Sequence, residues 1–308
     1  MNLLYLLEDA RTPFFNAFFS LITLLGEEVA FMAIGVTVLW CFSKTKGYFL
    51  LITGFFGTLI NQFLKIIFKI PRPFVKDKNF TIVESAREGA SGFSFPSGHT
   101  QSSVTLFGGI ARSFKGKLVK VISITLAVLV PFSRLYLGVH TPLDVGVSIL
   151  ISLALIFSYP LFEKAQRNDN IMLAIILTLN ALSIFFLLYV FLFPFDSFVY
   201  LEENVQNLYS AQKNACTLLG CAVGLLVVYP LEKKFVNFET KAVWWAQILK
   251  VIIGLIIILG VKEGLKLPLE FIFNNELLAR AVRYFIMVLI GGGIWPMTFK
   301  WFSKLGRK

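Results

Sequence analysis

Histidine, cysteine and charged residues are all scarce in this chain, and each scarcity argues against a class of protein. Only two histidines and three cysteines occur among 308 residues, and none forms a cluster with the spacing of a zinc site or a redox motif. Cys41, Cys216 and Cys221 are therefore expected to be small core residues. Charged residues make up 15% of the chain and hydrophobic residues 56%, which is far more apolar than soluble domains are. A soluble globular fold is not expected.

Acidic residues are also outnumbered, with 18 Asp and Glu against 29 Lys and Arg and a net charge of +11. Such an excess is typical of proteins that bind nucleic acids or sit in membranes. Here the basic residues lie mainly in short clusters between apolar runs, which favours a membrane protein, so no nucleic-acid partner is expected. The N-terminus has no basic segment and no small-residue cleavage site, so no cleaved signal peptide is expected.

Apolar runs of about 15–25 residues recur along the chain, the length needed to cross about 30 Å of hydrocarbon. They predict an all-α fold, a polytopic bundle of membrane helices. The first run is short and carries Asn16 and Ser20, so a tilted or re-entrant segment is an alternative, and nine and ten spans are both open. The predicted spans are residues 13–25, 28–43, 48–68, 99–113, 121–138, 142–160, 171–195, 214–230, 243–261 and 281–299.

The connections between these runs alternate in charge. The positive-inside rule assigns the basic connections to the cytoplasm; they contain Lys44, Lys46, Arg112, Lys115, Lys117, Lys120, Lys164, Arg167, Lys233, Lys234, Lys241, Lys300, Lys304, Arg307 and Lys308. The opposite connections contain Glu27, Glu28, residues 70–98, Asp196, Glu202, Glu203 and residues 262–280. With ten crossings, both termini are cytoplasmic and residues 70–98 face outward. The compact chain suits a bacterial cytoplasmic membrane.

The first unusual polar stretch lies where the third apolar run ends. Lys65 precedes Arg72 and Pro73, and the prolines at 71 and 73 force an extended exit from the helix. Both cations would stand at the mouth of the bundle. Taken alone, the stretch is interpreted more simply as basic side chains that reach from a helix end to the membrane interface, so by itself it decides nothing.

The second stretch runs from Ser94 to His99 and leads directly into an apolar helix. Ser97 is a plausible N-cap, Gly98 permits close approach of a ligand, and the free N–H groups of a helix start favour an anion. His99 is placed where a proton donor for a leaving group would sit. An ordinary capped helix with an interfacial histidine remains an alternative.

The third stretch contains Arg134, His140 and Asp144. An arginine next to an apolar helix is costly unless it reaches the interface, pairs or binds an anion. Asp144 has two interpretations: a capping carboxylate in the helix that begins after Thr141, or an acceptor for one imidazole N–H that leaves the other nitrogen of His140 basic.

Both histidines of the chain fall in these stretches, and the predicted topology brings all three stretches to one membrane face. Three cations, a Ser-Gly helix start, two histidines and one aspartate form a set suited to phosphoryl transfer, where catalysis is mostly positioning and charge neutralisation.

Together the stretches resemble the signature of the type 2 phosphatidic acid phosphatase superfamily: Lys, six residues, Arg-Pro; then Pro-Ser-Gly-His; then Ser-Arg, five residues, His, three residues, Asp. The resemblance covers about residues 13–165. The matching residues are Lys65, Arg72, Pro73, Pro96, Ser97, Gly98, His99, Ser133, Arg134, His140 and Asp144.

The resemblance implies a catalytic role for three of these residues. His140 would attack phosphorus to give a phosphohistidine, Asp144 would orient it, and His99 would protonate the leaving oxygen. The phosphate oxygens would be held by Lys65, Arg72, Ser97, Gly98 and Arg134. No metal or other cofactor is implied, because the arginines and the lysine supply the positive charge.

The resemblance also implies a division of the chain. Residues 1–168 would form a six-helix catalytic core, and residues 169–308 an extension of about four membrane helices. Packing against the core, shaping of the substrate site and binding of a partner are all open roles for this extension.

The leading hypothesis is an outward-facing phosphatase of lipid phosphates or polyprenyl diphosphates, whose partners are the lipid-linked substrate and the surrounding membrane lipids. Phe68, Phe74, Phe93 and Phe95 flank the motifs and are candidates for an apolar entrance. A sugar-phosphate phosphatase similar to glucose-6-phosphatase, with a polar vestibule in residues 74–94, is an alternative. A lipid phosphotransferase and a non-catalytic anionic-lipid binding or transport protein are further alternatives. The oligomeric state is open.

Overall fold

The computed structural model describes residues 1–192 and 202–305, and every regular element in this part of the chain is helical. The predicted all-α class is therefore confirmed. Three charges used in the topology prediction, those of Asp196, Arg307 and Lys308, lie outside the described residues, as do the side chains of Glu202 and Glu203.

The described chain forms two compact units. The first contains Met1–Ile34, Phe49–Pro160 and residues 202–208; the second contains Gly35–Tyr48 and residues 161–192 and 209–305. These units describe packing, whereas the predicted boundary at residue 168 concerns the extent of the catalytic core and stays a prediction.

Eight helices precede residue 157: α1 Asn2–Asp9, α2 Pro13–Thr23, α3 Glu28–Thr37, α4 Lys44–Phe68, α5 Pro73–Lys76, α6 Gly98–Ser113, α7 Lys117–Tyr136 and α8 Pro142–Ile156. Seven more follow among the described residues: α9 Tyr159–Arg167, α10 Asp169–Leu192, α11 Glu202–Leu231, α12 Trp244–Gly264, α13 Lys266–Phe273, α14 Glu276–Leu289 and α15 Phe299–Phe302.

The number of long apolar helices is smaller than the nine or ten predicted spans. Seven helices in the described chain are long and apolar enough to cross a membrane, and an eighth candidate is the bent pair Pro13–Gly26 and Glu28–Phe42. The two predicted spans at 13–25 and 28–43 thus form one pair bent by only 55°. The predicted span at 99–113 falls short because α6 has 16 residues and a largely polar buried face. The split into six plus four helices stays a prediction.

The prediction that the N-terminus lies on the face opposite the motifs is wrong. Leu4 of α1 is fully buried in a cluster with Phe80, Leu137 and Val139, and the Tyr5 hydroxyl donates to Asp77 at 2.8 Å. The chain turns there at Gly138, whose φ of +82° is easily adopted only by glycine. A bend of 55° between α2 and α3 is far from the reversal that two opposed crossings need, and α1 packs against the segment that carries the motifs.

Local sequence fixes where the motif-bearing helices begin. The Ser97 hydroxyl caps α6 by accepting from the Thr100 N–H at 3.4 Å. Thr141 and Asp144 form a capping box at the start of α8, with Pro142 in its first turn. Both helix starts therefore point their free N–H groups towards the same region of the first unit.

Candidate active site

His140 is buried beside Arg72 and is 1% exposed. Arg72 donates from Nη1 to His140 Nε2 at 2.8 Å and to the Val139 carbonyl at 3.0 Å. Because a guanidinium can only donate, Nε2 must be the unprotonated, accepting nitrogen, and the imidazole proton then lies on Nδ1. Burial, and after it the charges of Arg72 and Arg134, holds the pKa of His140 well below its ordinary value. The ring is therefore neutral, with its lone pair on Nε2.

The protonated Nδ1 of His140 faces Asp144. Its distance to Asp144 Oδ2 is 3.4 Å, and the Ser94 hydroxyl lies at the same distance. The same Oδ2 accepts from Ser94 Oγ at 2.5 Å and from the Thr141 N–H at 2.7 Å. Asp144 thus combines both interpretations of the sequence, since one oxygen caps α8 and orients the histidine.

Arg134 is buried in the first unit with most of its hydrogen-bonding capacity unused. It is 1% exposed, and Nη1 donates to Thr23 Oγ1 at 2.7 Å. Its Nε and Nη2 have no hydrogen-bond partner among the described residues. A buried guanidinium with one free edge is suited to bind two oxygens of a phosphate in parallel.

Lys65 and the start of α6 complete this group. Lys65 Nζ donates to the Phe93 carbonyl at 2.5 Å, and the Ser97 N–H donates to the Asp144 carbonyl at 3.2 Å. His99 is partly exposed in the first turn of α6, and no hydrogen bond to its ring is made within the described residues. A Cβ added at Gly89 would lie 3.9 Å from its Nε2.

All eight predicted site residues lie in the first unit. Direct contacts join Arg72, His140, Asp144 and Ser97, while Lys65 joins the group through the loop that carries Ser94. For Arg134 the described contact is Thr23, and for Gly98 it is the neighbouring Asn61, whose Oδ1 would lie 3.9 Å from a Cβ on Gly98.

Comparison with known proteins identifies the family. Residues 46–168 match the model of the PAP2 superfamily, and residues 216–308 match that of the PAP2 superfamily phosphatase transmembrane extension. Phosphatidylglycerophosphatase B of Bacillus subtilis (strain 168) is 33% identical over 173 residues, covering 51% of this chain and 80% of the relative. The chain belongs to the PAP2 superfamily.

Two further proteins are similar to this PAP2 chain. Undecaprenyl-diphosphatase BcrC of Bacillus subtilis (strain 168) is 29% identical over 146 residues, which is 46% of this chain and 72% of the relative. The crystal structure of Aquifex aeolicus LpxE covers 51% of this chain and 92% of its own chain, with 28% identity and a TM-score of 0.45.

Sequence reasoning missed Ser94 and Thr23 in the PAP2 site. Ser94 is fully buried and contacts both His140 and Asp144, and Thr23 is the partner of Arg134. The one signal for Ser94 in the sequence was its place beside a motif, where a polar residue is expected to be buried. No signal pointed to Thr23, which lies 111 residues before its partner Arg134.

The four phenylalanines that flank the PAP2 motifs behave differently from one another. Phe93 and Phe95 are buried, and Phe74 is half-buried beneath the Arg87 guanidinium. Phe68 is 53% exposed and its ring meets that of Phe95 edge-on at 5.1 Å. Phe68 is thus the one exposed ring of this set, and it lies against the loop that leads to Ser97.

Proposed function

We propose that this protein is an integral membrane phosphatase that hydrolyses phosphomonoester or diphosphate groups of lipid or polyprenyl substrates. The reaction proceeds through a phosphohistidine on His140. The proposal depends on the protonation and contacts of His140. Asp144 and Ser94 face its protonated Nδ1, and its basic Nε2 accepts from Arg72, a side chain of the type that binds phosphate.

In the first step, His140 Nε2 attacks phosphorus, a P–N bond forms and the bond to the leaving oxygen breaks. As the substrate binds, the Arg72 N–H that donates to His140 Nε2 donates to a phosphoryl oxygen instead, which frees the Nε2 lone pair. Arg134, Lys65 and the first N–H groups of α6 neutralise the charge that develops on the phosphoryl oxygens. Burial, and after it the charge of Arg134, lowers the pKa of His99 to about 2. The proton for the leaving oxygen therefore arrives on the phosphate, and His99 passes it from a phosphoryl oxygen to the leaving oxygen.

In the second step, water attacks the phosphohistidine. Neutral His99 now accepts a proton from the water, the P–N bond breaks, and inorganic phosphate leaves with His140 restored. Asp144 stabilises the positive charge that the His140 ring carries while it is phosphorylated. Neither reaction step uses a metal ion, so activity is expected to persist in EDTA.

A lipid-linked substrate is supported by the similar proteins and by the apolar surface next to the site. The names of two relatives describe action on a phosphatidylglycerophosphate and on undecaprenyl diphosphate. Exposed Phe68 would let an acyl or prenyl tail stay in the bilayer while the phosphate reaches the loop at Ser97.

An outward-facing site is supported by the charge distribution. Basic connections define the cytoplasmic side by the positive-inside rule, and the motif-bearing connections are not among them. The N-terminal α1, which packs against the motif-bearing segment, contains no Lys or Arg, as expected for a segment outside the cytoplasm.

The test is phosphate release by detergent-purified protein in EDTA from phosphatidate, phosphatidylglycerophosphate, undecaprenyl diphosphate and glucose 6-phosphate. Wild type is expected to release phosphate from at least one lipid, and His140→Ala to lower the rate at least about 10³-fold. Rapid acid-free quenching with a ³²P-labelled substrate should trap an acid-labile phosphoenzyme in wild type only.

Arg112→Ala is the matched control, because Arg112 is an exposed cation at the far end of α6; it should retain wild-type turnover. Substantial turnover by folded His140→Ala would remove His140 as the nucleophile. Release from glucose 6-phosphate alone would leave the phosphohistidine mechanism intact and move the substrate to the sugar-phosphate class.

A further inference from the structure

Arg283 lies on the packed face of a membrane helix in the second unit. It is 6% exposed, and the buried residues of α14 are Ala279, Arg283 and Met287, spaced four apart along one stripe. Arg283 lies seven residues after Glu276, about 10 Å along the helix at 1.5 Å per residue. Because it is enclosed by protein, it is not a cation reaching along a lipid-facing surface to the interface.

No described residue neutralises Arg283. Within residues 1–192 and 202–305 its guanidinium forms no hydrogen bond or ion pair, and Nε is fully enclosed without a partner. The contact it does make is with the ring of Tyr284, whose centroid lies 5.9 Å from Cζ. A guanidinium stays charged under all ordinary conditions, so an enclosed one strongly favours a structure in which an anion binds to it.

Lys250 in the same unit shows what a purely structural buried cation looks like here. Its Nζ donates to the Trp40 carbonyl at 2.8 Å and to the Thr240 carbonyl at 3.3 Å, and it lies 4.5 Å from the centre of the Phe299 ring. The second unit therefore supplies protein acceptors to one buried cation and withholds them from the other.

Two further cations surround the same part of the second unit. Arg280 lies over the Tyr284 ring at 5.4 Å and uses its Nε to donate to Thr217 at 2.6 Å. Lys213, one turn before Thr217 on α11, lies over the ring of Tyr209 at 4.6 Å. The nearby carboxylates are Glu276, which accepts from the Tyr209 hydroxyl, and Glu270. Three cations and two carboxylates thus lie around the Tyr209 and Tyr284 rings, and one of the carboxylates is already engaged by a hydroxyl.

We propose that Arg283, with Arg280 and Lys213, binds the phosphate headgroup of an anionic phospholipid. Guanidinium groups match phosphate oxygens in pairs, and basic pockets between membrane helices are suited to lipid headgroups. A position about 10 Å along a helix that spans about 30 Å of hydrocarbon lies within one leaflet, so the headgroup has to enter between the helices to reach Arg283. The site uses none of the residues proposed for catalysis, and its lipid carries a phosphodiester rather than the terminal phosphate of a substrate.

The experiment compares lipid retention by full-length wild type, Arg283→Gln and Lys266→Gln, measured by native mass spectrometry with phosphatidylglycerol and phosphatidylcholine. Wild type is expected to retain phosphatidylglycerol at least about ten-fold more tightly than phosphatidylcholine, and Arg283→Gln to lose about ten-fold of that affinity. Lys266 is an exposed cation on α13 of the same unit, so its variant should bind as wild type does. Phosphatase activity should remain unchanged in both variants.

Equal retention of the two lipids by wild type would overturn the proposal, and so would undiminished phosphatidylglycerol binding by Arg283→Gln. A second measurement uses inorganic phosphate as the ligand. If it protects wild type against thermal unfolding as well as phosphatidylglycerol does, and if this protection needs Arg283, the site binds free phosphate instead. If Arg283→Gln does not fold, the double variant Arg280→Gln/Lys213→Gln carries the same comparison, and unchanged lipid binding by it would reject the site.

Discussion

Two groups of buried polar side chains lie in the first unit, one between α6 and α8 and one on the neighbouring helices α4 and α7, near the starts of α6 and α8. They differ in how far protein partners satisfy their hydrogen bonds. In the deeper group, Gln101 donates to Thr105, Thr105 donates to Ser152, and Ser152 donates back to the Gln101 carbonyl, all within 3.1 Å. In the group at the helix starts, Asn61 and Arg134 are 1% exposed and keep side-chain nitrogens with no partner among the described residues.

The difference separates two uses of buried polarity. A closed ring of hydrogen bonds holds helices together and leaves nothing for a ligand, because every hydroxyl in it already donates. Buried nitrogens without protein partners are costly in an empty site and become favourable when a phosphate supplies oxygens. Substitutions in the group at the helix starts should therefore affect turnover, and substitutions in the deeper group should affect stability.

Among the substitutions that test this comparison, the largest effect is expected from Arg134→Lys. A lysine keeps the charge but cannot reproduce the free guanidinium edge formed by Nε and Nη2, so turnover should fall about 10²-fold. Steady-state kinetics on the best lipid substrate measure the loss. Arg112→Lys, the same exchange at an exposed position, should change nothing; near-normal rates for Arg134→Lys would remove Arg134 from phosphate binding.

Asn61→Leu should lower turnover about ten-fold, the value of one hydrogen bond to a charged group. Its thermal stability should stay constant or rise, because the substitution removes two unpartnered polar atoms. Asn180 provides the matched control, since it is also buried in a membrane helix but donates to the Ile176 and Ala222 carbonyls at 2.9 and 3.0 Å. Asn180→Leu should lose stability and keep activity; the same behaviour in Asn61→Leu would make Asn61 a structural residue.

Ser94→Ala is expected to lower turnover by about three- to ten-fold, since it removes one hydrogen bond of about 1 kcal/mol from Asp144 and leaves the Thr141 N–H in place. The rate measured beside that of Ser148→Ala gives the comparison. The Ser148 hydroxyl donates only to the carbonyls of Ser97 and Asp144, so its loss should leave the rate within two-fold. Equal losses in the two variants would argue against a specific role for Ser94.

The sequence predicted the parts of this arrangement that depend on local pattern. Helical class follows from the length of the apolar runs, and the start of α8 follows from Thr141 and Pro142. The approach of Arg72 to His140, 68 residues away, followed from the family resemblance and the shared membrane face. These features could be predicted because a motif consists of residues close together in the sequence. In addition, both ends of a connection between two membrane helices lie on the same side of the membrane.

Other features depended on tertiary packing that no run of residues records. Ser94 acquires its role only because the loop before α6 folds over Asp144. The direction of the N-terminus depends on the 55° bend between α2 and α3, and hydropathy alone cannot distinguish a bend from a full reversal when both runs are apolar. Thr23 becomes the partner of Arg134 for the same reason, because that bend keeps the end of α2 beside α7.

The smallest effect on turnover is expected from Thr105→Val, and it tests the deeper group directly. The exchange keeps the shape of the side chain but removes the hydroxyl that joins Gln101 to Ser152. Hydrogen bonds between membrane helices contribute about 0.6 kcal/mol on average and up to about 1.7, so unfolding in mixed micelles should show a loss within that range. Turnover should stay within two-fold of wild type. A marked fall in turnover at unchanged stability would mean that the ring takes part in the chemistry, for instance by fixing the position of α6 beneath His99, and the division between structural and ligand-binding polar groups would then have to move one turn deeper.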